Sequence, residues 1–134
     1  VRHGEATHHT QHLTGGWTDS DLTEAGRRQL EALAAKLALD FKGRSEKFRI
    51  LASDLKRAAE SAAIIAARLH MDDKVEKHAF LREKNNGLAA GMTESEAKAI
   101  YRPAATLKEL HHRNYPGGAA LKALKPVLIW KKKT

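Results

Sequence analysis

Apolar residues recur at helical spacing in two long stretches of the chain. Between Leu22 and Phe41, apolar residues follow one another at three- and four-residue steps, which predicts a helix with one apolar face. Thr23 stands where this helix would begin, and a threonine hydroxyl is a good N-cap. A second helix is predicted over residues 53–70, capped by Ser53 or Asp54. Its apolar face would be formed by Leu55, Ala58, Ala62, Ile65 and Leu69.

Short apolar runs lie on either side of the second predicted helix. Residues 48–53 (FRILAS) and 74–81 (KVEKHAFL) are rich in apolar and β-branched side chains, which predicts two strands. A short helix is predicted over residues 93–101, because Thr93 and Glu96 have the spacing of a capping box. Helices that alternate with strands indicate βαβ units and therefore a parallel sheet.

The two ends of the chain continue this alternation. Residues 1–5 (VRHGE) are interpreted as the end of a buried strand whose earlier part is missing. Residues 126–130 (PVLIW) are predicted to form one more strand, after a turn at residues 115–120. We expect a single domain over residues 1–134, with its N-terminal strand and its C-terminal part incomplete. The expected fold class is α/β, with three α/β/α layers around a mostly parallel, doubly wound sheet.

Composition and charge narrow the class of protein. A chain of 134 residues with 42% hydrophobic residues and no long apolar run indicates one globular domain and argues against a membrane span. The chain has no cysteine, which excludes disulfides and a thiol nucleophile and favours a cytoplasmic location. The net charge of +8 favours an anionic partner, but only 5% of the residues are aromatic and the basic residues are scattered. We therefore expect a small phosphorylated substrate, with no nucleic acid or membrane as partner, and leave a homodimer open.

Chemically active residues follow three successive predicted strands. Arg2 and His3 end the first, Arg57 lies just beyond the second, and Glu83 follows the third. Ligands of a parallel α/β sheet bind beyond the carboxyl ends of its strands, so these side chains are expected in one crevice. A neutral imidazole can accept a phosphoryl group, guanidinium groups can bind its oxygens, and a protonated carboxyl can protonate the leaving alcohol. The set predicts phosphoryl transfer.

Other histidines near the start of the chain raise the question of a metal site. His8, His9 and His12 follow His3 closely, but neither a carboxylate nor a cysteine accompanies them at ligand spacing. We therefore predict no metal site. Trp17 is interpreted as an anchor of the core or of its loop.

Four segments of the chain carry a family resemblance: RHGE at 2–5, GGWTDSDLTEAG at 15–26, SDLKRA at 53–58 and LREKNNGLAAG at 81–91. In this order they resemble the histidine phosphatase superfamily, also called phosphoglycerate mutase-like. The resemblance implies that His3 is the phosphorylated nucleophile and Glu83 the general acid. It also implies that Arg2 and Arg57 bind the phosphoryl group.

The same resemblance suggests three residues that bind substrate. His9 stands where the family often has an asparagine that contacts the phosphoryl group, and an imidazole N–H could replace it. Gly15 and Gly16 precede the tryptophan in a loop that contacts substrate in the mutase branch. They are therefore candidate substrate contacts.

The chain also departs from the family pattern. Lys84 and Asn85 follow the acid where mutases usually carry arginine and histidine, and the long mutase insertion is absent, which favours a phosphatase. The family has a second active-site histidine after a late strand, whereas no histidine follows His112.

Three hypotheses follow from these observations. The first is a metal-independent phosphohydrolase that acts on a small phosphomonoester through a phosphohistidine intermediate and needs no cofactor. The second is a cofactor-dependent phosphoglycerate mutase, which alone would need a bisphosphoglycerate primer. The third is a catalytically impaired fragment that binds phosphorylated ligands without the second active-site histidine.

Overall fold

The computed structural model describes residues 1–44 and 47–101 of the chain. Within these residues the elements are α1 (Thr7–Thr10), α2 (Glu24–Asp40), β1 (Ile50–Ala52), α3 (Lys56–Leu69), β2 (Val75–Lys77) and α4 (Glu94–Ile100). Short 3-10 turns occupy Asp72–Lys74, Ala79–Leu81 and Gly87–Ala89. The turn predicted at residues 115–120 and the strand predicted at residues 126–130 lie outside the described residues.

The helix predicted from the leucine spacing is confirmed as α2. Thr23 is its N-cap, and the Thr23 hydroxyl accepts a hydrogen bond from the Gly26 N–H at 3.0 Å. Leu30 and Ala34 are buried where α2 packs against α3. Removing one large aliphatic side chain of this core from water stabilises the fold by about 1.5–3 kcal/mol.

The two strands form a parallel pair joined through α3, as the alternation of elements predicts. Ile50 pairs with Val75, and both side chains pack on the core between α2 and α3. Leu51 alternates to the other face of the sheet and is half exposed. Both strands are shorter than predicted, and at β2 the reason is that 3-10 turns take up the residues on either side of it. The described residues thus contain a βαβ unit, and the fold class is α/β.

The start of the chain differs from the prediction. Residues 1–5 form no strand pairing in the part that the structure describes. Their backbone is bonded instead to the start of α2, because the Glu5 carbonyl accepts from the Thr23 N–H at 2.9 Å and the Glu5 N–H donates to Gln29 Oε1 at 3.0 Å. Gly4 and Gly26 lie in direct backbone contact, since a Cβ on Gly4 would lie 2.5 Å from the Gly26 carbonyl oxygen. This contact fixes the segment that carries His3 against α2.

The start of α3 is also bonded differently from the prediction. Its N-cap is Leu55, and neither Ser53 nor Asp54 caps it. The Lys56 N–H donates to Asp19 Oδ1 at 2.8 Å, from a loop 37 residues earlier. An acidic side chain is favourable at this positive end of a helix. The free N–H groups expected there are therefore partly occupied by the protein itself.

The remaining elements agree with the sequence in part. The capping box of Thr93 and Glu96 is confirmed at the start of α4, whereas α1 was not predicted because four residues show no periodicity. In the described part of the chain, no helix has the length and apolar character needed to cross a membrane.

Replacing Gly26 with alanine should destabilise the protein, although alanine is the better helix former. An ordinary glycine-to-alanine change inside a helix gains about 0.5–1 kcal/mol. Here the added Cβ would overlap the Glu5 carbonyl, and we expect a net loss of at least about 1 kcal/mol in the free energy of unfolding. Urea unfolding measures the change. Ala32→Gly, the reverse exchange at an exposed position of the same helix, measures the effect of helix propensity alone. A Gly26→Ala protein as stable as the parent would contradict the prediction.

Candidate active site

The His3 ring is bonded at both of its nitrogens. Nδ1 lies 2.7 Å from the Gly4 carbonyl oxygen, and Nε2 lies 3.2 Å from Arg57 Nε. A carbonyl oxygen only accepts, so Nδ1 carries the hydrogen, and a guanidinium only donates, so Nε2 presents its lone pair. Both contacts therefore require the same neutral tautomer, with Nε2 as the nucleophilic atom.

The surroundings of His3 also favour its neutral form. Burial is the main cause that lowers the pKa of His3, and the charges of Arg57, His9 and Arg2 lower it further. The hydrogen bond to Gly4 acts in the opposite direction but does not outweigh these effects. A histidine with a lowered pKa is unprotonated at neutral pH, which is the state that a nucleophilic imidazole needs.

Arg57 is the most deeply buried charged group of the site, with only 2% of its side chain exposed. Nη1 donates to the Thr18 carbonyl at 2.6 Å, and Nη2 donates to the Gly16 carbonyl at 2.7 Å. Together with the bond to His3, these use three of the five guanidinium N–H groups. Burial lowers the pKa of Arg57, but an arginine stays charged at any physiological pH.

Glu83 is the carboxylate nearest to Arg57 in the site. Its Oε2 lies 3.7 Å from Arg57 Nη2, and 64% of its side chain is exposed. A carboxylate at this distance in contact with water neutralises a buried guanidinium only partly. The site therefore keeps a positive character that suits a phosphoryl group.

One cleft of about 550 Å³ brings together the four residues predicted to be catalytic: Arg2, His3, Arg57 and Glu83. Arg2 lies exposed at its rim, and Ser53 adds a hydroxyl to its wall. The inner wall is apolar and includes Leu37, Phe41, Ile50 and Ile65. The charged groups of the site thus share a largely apolar cleft, where the low local dielectric strengthens their attraction for an anion.

The three residues predicted to bind substrate lie outside the wall of this cleft. His9 stacks on His3 with 5.6 Å between the ring centroids, and its Nδ1 accepts from the Ala6 N–H at 3.0 Å. Neutral His9 therefore carries its hydrogen on Nε2. Gly16 has a φ of +63°, and a Cβ there would lie 2.7 Å from Asn86 Nδ2. Gly15 packs against the His8 ring.

Sequence reasoning missed several residues that hold the site together. Thr18 and Asp19 bind Arg57 and the start of α3, and His8 is buried with its Nδ1 2.5 Å from Ser20 Oγ. All of these contacts join residues far apart in sequence or within a short irregular loop, so hydrophobic periodicity gives no signal for them. Trp17 does act as a loop anchor, because its Nε1–H donates to the Glu83 carbonyl at 2.7 Å.

A metal site is not formed by the histidines near the start of the chain. Over residues 1–44 and 47–101, no three histidine, aspartate or glutamate side chains are grouped so that they could hold a metal ion.

Comparisons with known proteins extend these observations. Residues 1–125 match the sequence profile of the Histidine phosphatase superfamily (branch 1). Phosphoglycerate mutase-like protein 4 of Arabidopsis thaliana is 36% identical over 100 residues, which cover 75% of this chain and 41% of that protein. The 2,3-bisphosphoglycerate-dependent phosphoglycerate mutase of Methylocella silvestris is 32% identical over 127 residues, which cover 91% of this chain and 59% of that protein.

A solved structure agrees with the sequence matches. Mycobacterial glucosyl-3-phosphoglycerate phosphatase, in a complex with VO3, superposes with a TM-score of 0.68 at 29% identity. The superposition covers 89% of this chain and 56% of that one. The chain therefore spans about half the length of the relatives that it matches.

Acid should weaken the fold through its buried histidines. Burial lowers the pKa of His8 from 6.5 to about 4, so the unfolded chain takes up this proton at a higher pH than the folded one. The contribution of neutral, buried His8 to the free energy of unfolding is complete above pH 6.5 and is lost as the pH falls towards 4. NMR titration should find the His8 pKa near 4.

Substitution of His8 tests the same effect on stability. The His8→Gln protein should show a smaller dependence of the free energy of unfolding on pH across this interval, because it lacks the buried titrating group. His70→Asn is the control, because His70 is exposed and asparagine tolerates its positive φ. An unchanged slope in His8→Gln would show that His8 titrates normally.

Proposed function

The chain belongs to the histidine phosphatase superfamily, and from this premise we propose that it hydrolyses a small phosphomonoester through a phosphohistidine intermediate. The observation that carries the proposal is the His3 ring, whose Nε2 lone pair faces a buried guanidinium while its Nδ1–H is bonded to Gly4. Relatives in the superfamily are phosphoglycerate mutases and phosphatases. Enzymes of this superfamily need no metal cofactor.

In the first step, His3 Nε2 attacks the phosphorus atom of the bound ester. The N–P bond forms as the bond from phosphorus to the ester oxygen breaks, and protonated Glu83 gives its proton to the departing alkoxide. The phosphoryl group takes the place of Arg57 Nε as the partner of His3 Nε2. Arg57 and Arg2 stabilise the negative charge on the phosphoryl oxygens.

In the second step, water attacks the phosphorus atom of phosphohistidine. The carboxylate of Glu83 accepts a proton from this water as the N–P bond breaks, so inorganic phosphate leaves and both His3 and Glu83 return to their starting states. The excess of basic residues supports an anionic substrate. The His9 Nε2–H is proposed to donate to the phosphoryl group, and the loop of Gly15 and Gly16 to contact the rest of the substrate.

A phosphoglycerate mutase is the second candidate function. Its support is the similarity to mutases, including the one from Methylocella silvestris. A mutase would return the phosphoryl group to another oxygen of the substrate and would need a bisphosphoglycerate primer. Isotope exchange with bisphosphoglycerate, with little net release of phosphate, would favour the mutase over the phosphatase.

Hydrolysis of an aryl phosphate by this chain should depend on His3. We expect His3→Ala to lower the rate at least about a thousandfold, because the proposed covalent intermediate forms on His3 Nε2. The exposed His70→Asn should keep the parent rate. Equal rates for His3→Ala and the parent would remove the nucleophile assignment. A stable, acid-labile phosphoenzyme that releases no phosphate would favour the ligand-binding hypothesis.

Arg2 provides a test of phosphate binding that does not disturb the core, since its side chain is exposed. The loss of one preorganised charged donor typically slows catalysis about a hundredfold, and we expect this loss of kcat/KM in Arg2→Gln. Aryl phosphate kinetics measure it, with a urea midpoint equal to that of the parent as control. An unchanged kcat/KM would exclude Arg2 from the phosphate site.

A further inference from the structure

The position of Glu83 is set mainly through its backbone. Its carboxylate is 64% exposed and lies 3.7 Å from Arg57. Its carbonyl oxygen accepts a hydrogen bond from Trp17 Nε1 at 2.7 Å, from a loop 66 residues earlier in the chain. An exposed carboxylate on a short irregular segment needs such an anchor if it is to meet a substrate in one orientation.

Arg82, the neighbour of Glu83, makes two further contacts that hold this segment. Its Nε donates to Asp54 Oδ1 at 2.5 Å, and its Nη2 donates to Asp54 Oδ2, so the guanidinium and carboxylate pair through both arms. Its guanidinium carbon also lies 4.9 Å from the centroid of the Trp17 ring. The bond from Arg82 lowers the pKa of Asp54, which keeps this carboxylate charged.

Arg82, Trp17 and Asp54 thus connect three parts of the active site, and we call these three side chains the Arg82 clamp. Trp17 belongs to the loop that binds Arg57 through its carbonyls, and Asp54 lies three residues before Arg57. The clamp therefore fixes Glu83 relative to the guanidinium beside it. Its ion pair is partly exposed and contributes little to stability, so orientation is the effect to expect from it.

We propose that the Arg82 clamp is a positioning device for Glu83, which holds the carboxyl where it can protonate the leaving oxygen. The inference rests on the proposed function, because it assumes that Glu83 is the general acid. Arg82 has the suitable chemistry for this task, since only a planar guanidinium can pair with both oxygens of Asp54 and lie over an indole ring at the same time. None of the three clamp side chains needs to touch the substrate.

The test uses two substrates that differ in their need for a proton. An alkyl phosphate such as glycerol phosphate releases a strongly basic alkoxide, whereas a dinitrophenyl phosphate releases a stable phenolate that needs no general acid. In Arg82→Gln we expect kcat for the alkyl phosphate to fall about 30- to 100-fold, because misplacing a catalytic group has an effect of this size. The rate with dinitrophenyl phosphate should change less than about twofold.

Further variants separate the contacts of the clamp. Trp17→Phe keeps the ring under Arg82 but removes the hydrogen bond to the Glu83 carbonyl, and it should show the same selective loss. Arg82→Lys should not restore the alkyl phosphate rate, because an ammonium group cannot pair through two arms. Arg27→Gln is the control, since Arg27 forms a partly exposed ion pair with Glu60 between α2 and α3 and lies outside the lining of the cleft.

Each outcome decides between the alternatives. A selective loss with the alkyl phosphate supports the clamp, provided that the Arg82→Gln/Glu83→Gln double variant is no slower than Glu83→Gln alone. If His3→Ala is inactive, the proposed function holds. In that case, an equal loss of rate with both substrates in Arg82→Gln, or no loss with either, overturns the clamp. If His3→Ala is as active as the parent with both substrates, the proposed function itself fails and the inference falls with it. Urea midpoints of Arg82→Gln and Arg27→Gln check that both variants are folded.

Discussion

The buried guanidinium of Arg57 is the group around which the site is built. It lies at the start of α3, contacts His3 through Nε, and donates hydrogen bonds to two backbone carbonyls of the loop over residues 15–20. A charge in this position is costly to remove from water unless its N–H groups are bonded. The carbonyls of Gly16 and Thr18 meet that need without neutralising the charge, so the guanidinium remains attractive to an anion.

This arrangement explains why the loop over residues 15–20 is so closely packed. The Gly16 carbonyl reaches Arg57 only because Gly16 has a positive φ and lies against Asn86 and the Lys84 carbonyl, where a side chain would not fit. Asp19 bonds the first turn of α3, and Trp17 bonds the segment of Glu83. The loop therefore connects Arg57, which lies beside His3, to the start of α3 and to Glu83, although no helix or strand runs through it.

The sequence was informative where one residue type or a regular spacing has few physical interpretations. The apolar spacing identified α2 and α3, and the capping box identified the start of α4. His3, Arg57 and Glu83, which were expected at three strand ends, do line one cleft, although residues 1–5 form no strand pairing within the described part of the chain. The cap of α3 was predicted wrongly, because Asp54 pairs with Arg82 and its place is taken by Asp19. A local pattern carries no information on a partner contributed by a distant loop. Residues 1–5 were predicted to end a strand, but their backbone hydrogen bonds go to the start of α2. Their sequence pattern gives no sign of those bonds.

The contact between Gly4 and Gly26 makes the position of His3 depend on the first turn of α2. The peptide next to His3 rests directly on the first turn of α2, with no side chain between them to absorb a displacement. If the beginning of α2 unwinds, the imidazole loses its support even while α3 and the sheet remain packed. Local opening of a helix end costs less free energy than global unfolding, so the position of the imidazole depends on the least stable part of α2 rather than on the core.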